Sequence, residues 1–123
     1  MIIGVGIDIV DINRMEESLQ EAGFQAKVFT AVELEGVRQY RSQTEHLAGK
    51  FAAKEAFMKA IGAGLRQDVW FTQIDVLNDE AGKPYIRASG EAGKRLGQSG
   101  ASQILVSISH SAGVAVAVVI LEG

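Results

Sequence analysis

An alternating strand with two glycines on one face opens the chain and limits how it can fold. Residues 2–10 read IIGVGIDIV. Side chains alternate between the two faces of a strand, so one face carries Ile3, Val5, Ile7 and Ile9. The other face carries Gly4, Gly6 and Asp8. Because glycines leave bare backbone, another chain or a ligand can approach this second face closely, beside the Asp8 carboxylate.

Three helices are predicted after this strand. The first begins at Asp11 or Asn13 and stops at Gly23, and the second begins at Thr30, whose spacing to Glu33 is that of a capping box. The third and longest runs from about residue 44 to residue 61. Two glycines, Gly62 and Gly64, follow it and are suited to end it in the left-handed conformation.

The second half of the sequence has the pattern of strands. Residues 70–77 and 85–88 predict a hairpin, Ser89 is placed to cap a short helix, and two strands over 104–109 and 114–121 follow, joined by residues 110–113. The last strand is apolar throughout, which predicts burial on both faces. The order β-α-α-α-β-β-α-β-β predicts an α+β fold with a largely antiparallel sheet and one long helix. With 123 residues, we expect a single domain spanning 1–123.

The composition limits the possible cellular compartment and the possible classes of ligand. The chain has no cysteine, which rules out a disulfide framework and suits the cytoplasm. The apolar start contains Asp8 and Asp11, unlike a secretory signal, and no uncharged run reaches the ~18 residues of a membrane helix. A net charge of −3 gives no general attraction to nucleic acid or an anionic membrane. The sequence therefore predicts a cytoplasmic protein without nucleic acid or membrane partners.

Two carboxylates, Asp8 and Glu55, are the candidate metal ligands. Glu55 projects about 40° from Phe51 on the long helix, at the border of its apolar stripe, which predicts partial burial. In a typical Mg²⁺ site the protein contributes one or two carboxylates, here one from a strand and one from a helix. Water and substrate phosphates supply the other ligands. The alternative is that Glu55 only forms an ordinary helix-surface ion pair with Lys59, one turn onward.

Basic groups offer candidate phosphate contacts. Lys50, Lys54 and Lys59 give the long helix several ammonium groups, although lysines on a helix often do no more than solvate it. His110 follows SIS among small residues, where a phosphate has room to reach it, although a histidine in a turn is more often a plain hydrogen-bonding group. A serine hydrolase is disfavoured because the G-x-S-x-G elbow is missing. His46, without an adjacent partner in sequence, is predicted to face solvent.

Five ordered segments resemble holo-acyl-carrier-protein synthases, the small bacterial class of 4′-phosphopantetheinyl transferases. The segments are GIDIV (6–10), FTAVE (29–33), FAAKEAFMKAIGAG (51–64), GKP (82–84) and SISHS (107–111). The resemblance implies a homotrimer with active sites in clefts between neighbouring subunits, which bind coenzyme A and Mg²⁺. It also implies an acyl carrier protein as partner, with fatty-acid synthesis as the pathway.

The resemblance also suggests a role for individual residues. Asp8 and Glu55 look like the metal ligands, and Lys59 looks like a contact of the coenzyme A phosphates. His110 looks like a contact of the 3′-phosphate of coenzyme A. Further cleft positions are Gly62, Pro84 and Ser109, and Arg14 resembles a position that meets the acidic carrier protein. Lys50 departs from the family, which often has arginine there, so a bidentate phosphate contact is not expected at this position.

The predicted function is transfer of 4′-phosphopantetheine from coenzyme A to a carrier-protein serine, with Asp8, Glu55 and Lys59 as catalytic residues. The general base is open between Glu55 and a water on the metal. Two other functions remain: a non-catalytic module that binds coenzyme A or a carrier protein, and a structural α+β domain.

Overall fold

The computed structural model describes residues 1–63 and 68–123, so the predicted helix-ending Gly64 lies outside the described residues. The elements are β1 (Ile2–Asp11), α1 (Ile12–Leu19), α2 (Phe24–Val28), α3 (Ala31–Val37), α4 (Gln43–Ile61), a 3₁₀ helix (Phe71–Gln73), β2 (Ile74–Asn78), β3 (Pro84–Ala88), α5 (Gly90–Ser99), β4 (Gln103–Ser111) and β5 (Val114–Glu122). Within these two ranges, no helix combines the length and the apolar character needed to cross a membrane.

Two antiparallel sheets carry the fold. In the larger, β5 is the central strand, with β1 on one side and β4 on the other; β2 and β3 form the smaller. The long helix α4 packs against β1 and β5. The predicted α+β class with antiparallel pairing is confirmed. The periodicity did not reveal the five-residue α2, and residues 71–73, predicted as strand, form the 3₁₀ helix instead.

The turn between β4 and β5 is shorter than predicted. Ala112 and Gly113 alone form it, with φ of 52° and 82°, and both positive values suit a two-residue hairpin of the primed type. His110 and Ser111 are therefore the last residues of β4 rather than part of the turn. Successive side chains of a strand point to opposite faces of the sheet, and so do those of Ser109 and His110.

Helix α4 is the segment that approaches the glycine face of β1. A Cβ atom at Gly6 would lie 1.9 Å from the Ala56 carbonyl oxygen, and one at Gly4 would lie 2.3 Å from the Ala60 carbonyl oxygen. The close approach is present as predicted, but the partner is a helix of the same chain rather than another chain or a ligand. Only glycine allows this contact, which brings the Glu55 turn of α4 next to Asp8.

We expect Gly6→Ala to lower the free energy of unfolding by about 2–3 kcal/mol, because the added methyl group forces α4 away from β1. Urea unfolding followed by circular dichroism measures the change. Gly36→Ala is the matched control: it lies in α3 with no atom within 4 Å of the added Cβ, so stability should hold or rise slightly. Equal stability of Gly6→Ala and wild type would contradict the packing described.

The two faces of the larger sheet differ in burial. On the α4 side, Ala115, Ala117, Val119 and Leu121 of β5 are buried, but the alternate residues of this strand are only partly covered. The expectation that β5 is buried on both faces is wrong for the single chain, since α4 covers one side only. On the uncovered side, the apolar residues of β1 are exposed: Ile3 41%, Val5 63%, Ile7 62% and Ile9 64%.

A buried ion pair ties α3 to α4. The capping box predicted at Thr30 is present, and the Glu33 carboxylate also accepts a hydrogen bond from the Val76 amide at 2.7 Å. Lys54 Nζ lies 2.6 Å from Glu33 Oε1 and donates to the carbonyl of Val28 at 2.7 Å. Burial, opposed by the Glu33 charge, lowers the pKa of Lys54. Both side chains are fully buried.

Lys50 is also turned inward. Its ammonium group donates to the Val76 carbonyl at 2.6 Å and approaches Asn78 Oδ1 at 3.4 Å. The alternative that Lys50, Lys54 and Lys59 only solvate the helix does not hold for the first two, whose ammonium groups bind backbone carbonyls inside the protein. Lys59 alone of the three is exposed.

Candidate functional site

The crossing of β1 and α4 brings together three of the predicted residues. Lys59 Nζ lies 3.1 Å from Asp8 Oδ1 and donates to the Ile7 carbonyl at 2.9 Å. The Asp8 side chain is 11% exposed and the Lys59 side chain 56% exposed. Lys59 therefore pairs with the strand carboxylate, and the simple Glu55–Lys59 helix pair does not describe its contacts.

Glu55 has a strongly perturbed acidity. Burial raises its pKa to about 7, helped by a hydrogen bond to Asp8 and by the charge of Asp8; the charge of Lys59 opposes the shift. The two carboxyl groups thus lie within hydrogen-bonding reach of each other. Two neighbouring carboxylates repel each other when both are ionised, unless a cation offsets their charge. The predicted partial burial of Glu55 is confirmed.

Asp8 Oδ2 fits this need for a cation. It is buried, and no donor from residues 1–63 or 68–123 reaches it. No cluster of three or more His, Cys, Asp or Glu that could hold a metal occurs in the same ranges, so Asp8 and Glu55 would need water or phosphate oxygens as further ligands. Two carboxylates completed in this way suit Mg²⁺, which keeps several waters and binds substrate phosphates.

Removing divalent cations should make stability depend on pH through Glu55. A carboxyl whose folded pKa is about 7, against the usual 4.5, contributes stability that is complete below pH 4.5 and is lost as the pH rises through 7. In EDTA, between pH 5 and pH 8, we expect the free energy of unfolding of wild type to fall by about 1–2 kcal/mol more than that of Glu55→Gln. The fall is smaller than the full pKa shift would give, because solvent screens a partly exposed group. Urea unfolding at fixed protein concentration measures this difference. Parallel pH profiles for the two proteins would contradict the arrangement, and excess Mg²⁺ should remove the loss.

An open cleft of about 250 Å³ lies beside the carboxylates. Asp8, Glu55 and Phe51 line it together with Arg14. Asp11 caps α1 by accepting a hydrogen bond from the Arg14 amide at 3.0 Å, which sets Arg14 in the first turn of that helix. The structure therefore brings the predicted carrier-protein contact and the predicted metal ligands to one cleft, which we call the carboxylate cleft.

A second cleft contains other predicted residues. It measures about 180 Å³ and is lined by Pro84 and His110, with Gly49, Lys50, Glu45 and His46 among its other residues. We call it the histidine cleft. Among residues 1–63 and 68–123, none lines both clefts. The predicted coenzyme A contacts are therefore split in the single chain between Lys59, at the carboxylates, and Pro84 and His110, at the histidine cleft.

Two predicted cleft residues line neither site. Gly62 ends α4 in the left-handed conformation, with φ of 73°, as its predicted helix-ending role requires. Ser109 pairs with Val116 and lies exposed on the uncovered face of the sheet. Their assignments as cleft residues stay predictions.

Sequence reasoning missed three residues around His110. The His46 ring stacks on Tyr40, with centroids 3.7 Å apart and planes at 15°, so the expectation that it simply faces solvent is wrong. The His46 ring also meets the His110 ring at 6.3 Å between centroids, and His110 Nδ1 lies 3.5 Å from Glu45 Oε2. Tyr40 lies outside the regular elements, so helical spacing could not relate it to His46. The only available signal was the position of Glu45 and His46 one turn before Lys50 on α4.

Known proteins resemble this chain along its whole length. Residues 4–119 match the family described as the 4′-phosphopantetheinyl transferase superfamily. A holo-[acyl-carrier-protein] synthase of Geotalea daltonii is 41% identical over 124 residues, covering 99% of each chain.

Solved structures agree with this match. The crystal structure of a holo-[acyl-carrier-protein] synthase from Neisseria meningitidis superimposes with a TM-score of 0.89 at 34% identity, covering all of both chains. A Bacillus anthracis synthase, solved in complex with CoA (3′,5′-ADP), gives a TM-score of 0.82 at 40% identity over 100% of this chain and 98% of that one. The segments that suggested the resemblance thus lie in a chain that belongs to the 4′-phosphopantetheinyl transferase superfamily.

Proposed function

We propose that this protein transfers the 4′-phosphopantetheine group of coenzyme A to a serine of an apo acyl carrier protein, with Mg²⁺ as cofactor. The products are holo acyl carrier protein and adenosine 3′,5′-bisphosphate. The observation that carries the proposal is the meeting of Asp8 and Glu55, with an unsatisfied buried oxygen on Asp8, at the β1–α4 crossing. Relatives named holo-[acyl-carrier-protein] synthase and a relative bound to CoA (3′,5′-ADP) support it.

Three side chains of this chain would do the chemical work. Asp8 and Glu55 would hold the metal, whose charge would offset that of the pyrophosphate and so lower the barrier to displacement at phosphorus. Lys59, fixed by the Ile7 carbonyl and Asp8, keeps its ammonium group exposed and stabilises the negative charge that grows on the departing phosphate. The serine hydroxyl attacks the β-phosphorus and gives up its proton to a base, either Glu55 or a water. The new O–P bond forms as the pyrophosphate P–O bond breaks, and adenosine 3′,5′-bisphosphate leaves.

A homotrimer would explain why the predicted coenzyme A contacts occupy two clefts. A monomer rarely exposes a contiguous apolar strand face such as Ile3, Val5, Ile7 and Ile9, and such a face is typical of a subunit interface. Covering it with a neighbouring copy would allow the histidine cleft of one subunit to face the carboxylate cleft of the next. Pro84 and His110 would then bind the adenosine end of coenzyme A, with Gly62 and Ser109 at the edges of the joint site.

The carrier protein would approach the carboxylate cleft. Arg14 lines this cleft and is exposed, so its guanidinium can meet acidic groups of a carrier protein and orient its serine toward Asp8 and Glu55. We assign the whole chain, 1–123, to this one transferase domain, acting in the cytoplasm, with fatty-acid synthesis as the pathway.

Mass spectrometry of the carrier protein tests the function. Apo acyl carrier protein incubated with this protein, coenzyme A and MgCl₂ should gain the mass of one phosphopantetheine group, and EDTA should prevent the gain. Binding of coenzyme A without any mass gain would instead identify a non-catalytic binding module. No binding and no gain would contradict both and leave a structural domain.

A further inference from the structure

Four side chains meet around His110 in the histidine cleft: Tyr40, after α3, Glu45 and His46, on α4, and His110 itself, at the end of β4. The His46 ring lies between the other two rings, nearly parallel to Tyr40 and at 67° to His110. It is thus the link between the Tyr40 ring and the imidazole that the proposed function assigns to phosphate binding.

The contact with Glu45 holds His110 only loosely. At 3.5 Å the Nδ1–Oε2 separation is longer than a good charge-assisted hydrogen bond, and both side chains are about 40% exposed. A half-exposed imidazole held in this way can turn about its side-chain bonds. The ring of His46 restricts that turning from one side, because an edge-to-face aromatic contact has a preferred geometry.

Lys50 does not take over the orientation of the phosphate. Its ammonium group is bound by the Val76 carbonyl and lies near Asn78 Oδ1, so it adds positive charge near the cleft without reaching out as an arginine fork would. Recognition of a phosphate in this cleft therefore depends on how well His110 is positioned.

The charge state of His46 suits a packing role. Burial, followed by the nearby charges of His110 and Lys50, lowers its pKa, and Glu45 only partly offsets this. The groups near the ring are Glu45 and Lys50 on α4, His110 on β4 and Tyr40 after α3. A neutral imidazole at pH 7 stacks on Tyr40 and adds no positive charge beside the His110 ring.

We propose that His46 is a positioning residue that, supported by Tyr40, holds the His110 imidazole where it binds the 3′-phosphate monoester of the adenosine group. This inference rests on the proposed function, because it takes His110 as the phosphate contact. It makes His46 a determinant of selectivity between ligands that carry the 3′-phosphate and ligands that lack it.

Calorimetric titration separates positioning from general structural support. Adenosine 3′,5′-bisphosphate and 5′-AMP, which lacks the 3′-phosphate, are each titrated in MgCl₂ into wild type, His46→Ala, His46→Phe and His110→Ala. We expect His46→Ala to weaken the bisphosphate about three- to tenfold, the range that one aromatic pair supplies, and to leave 5′-AMP unchanged. His46→Phe keeps a flat ring on Tyr40 and should bind the bisphosphate within about twofold of wild type. His110→Ala should remove the discrimination between the two ligands.

Tyr40→Ala provides a second variant if His46→Ala does not fold, and it should reproduce the same selective loss. Equal weakening of both ligands, an unchanged bisphosphate affinity in His46→Ala, or a loss in His46→Phe as large as in His46→Ala would overturn the proposal. A wild type that binds both ligands equally would overturn it too. Failure of phosphopantetheine transfer, with the selective loss intact, would contradict only the proposed function, because these titrations require no turnover.

Discussion

Asp8→Asn and Glu55→Gln should each slow the proposed Mg²⁺-dependent transfer to the carrier protein by at least about a hundredfold and leave the protein folded. Both changes keep the shape of the side chain and remove the negative charge that holds a divalent cation. The size of the loss is that of removing preorganised electrostatic stabilisation from a transition state. The rate of holo carrier protein formation, followed by mass spectrometry, measures it, and circular dichroism checks the fold.

Glu35→Gln is the matched control for these two variants. Glu35 is an exposed carboxylate of α3 that pairs with Arg38 and lies in neither proposed ligand site, so the same isosteric change should leave the rate as in wild type. Wild-type rates in Asp8→Asn or Glu55→Gln would remove that residue from the metal site.

We expect Lys54→Met to lower the free energy of unfolding by about 3–5 kcal/mol, because it leaves the Glu33 carboxylate buried without its cation. It also leaves the carbonyls of Val28 and Phe71 without the donors that they have in wild type. Urea unfolding of the variant and of wild type at equal protein concentration gives the difference.

The double variant Glu33→Gln/Lys54→Met tests whether the ion pair is the cause. Removing both charges should destabilise less than the two single changes added together, since no unpaired charge stays buried. Arg38→Met breaks the exposed pair with Glu35 and should have no measurable effect. Additive losses in the double variant would mean that Lys54 matters through packing and not through its charge.

Local patterns in the sequence predicted the parts of the site that depend on neighbours along the chain. The bare glycine face beside Asp8, the capping box from Thr30 to Glu33 and the half-burial of Glu55 each follow from the period of one strand or helix. The structure agrees on all three because each element keeps its regular geometry. The residue types alone also suggested that Asp8 and Glu55, 47 positions apart, share a metal ion, and the motif resemblance supported that pairing.

Features that depend on how elements pack were not predictable in this way. Lysines 50 and 54 look like surface residues of an amphipathic helix, yet both turn inward because α3 brings Glu33, and α2 and β2 bring backbone carbonyls, over that side of α4. His46 was expected to face solvent because it has no adjacent partner in sequence, and its actual partner, Tyr40, comes from the irregular segment after α3. The partial exposure of one face of β5 likewise follows from the packing of α4, which covers only the other face.

An anomalous difference map from crystals of this protein grown with Mn²⁺ and coenzyme A tests the proposed metal site most directly. We expect one strong peak within about 2.3 Å of carboxylate oxygens from both Asp8 and Glu55 and of a pyrophosphate oxygen. A metal bound elsewhere, or in contact with only one of the two carboxylates, would contradict it.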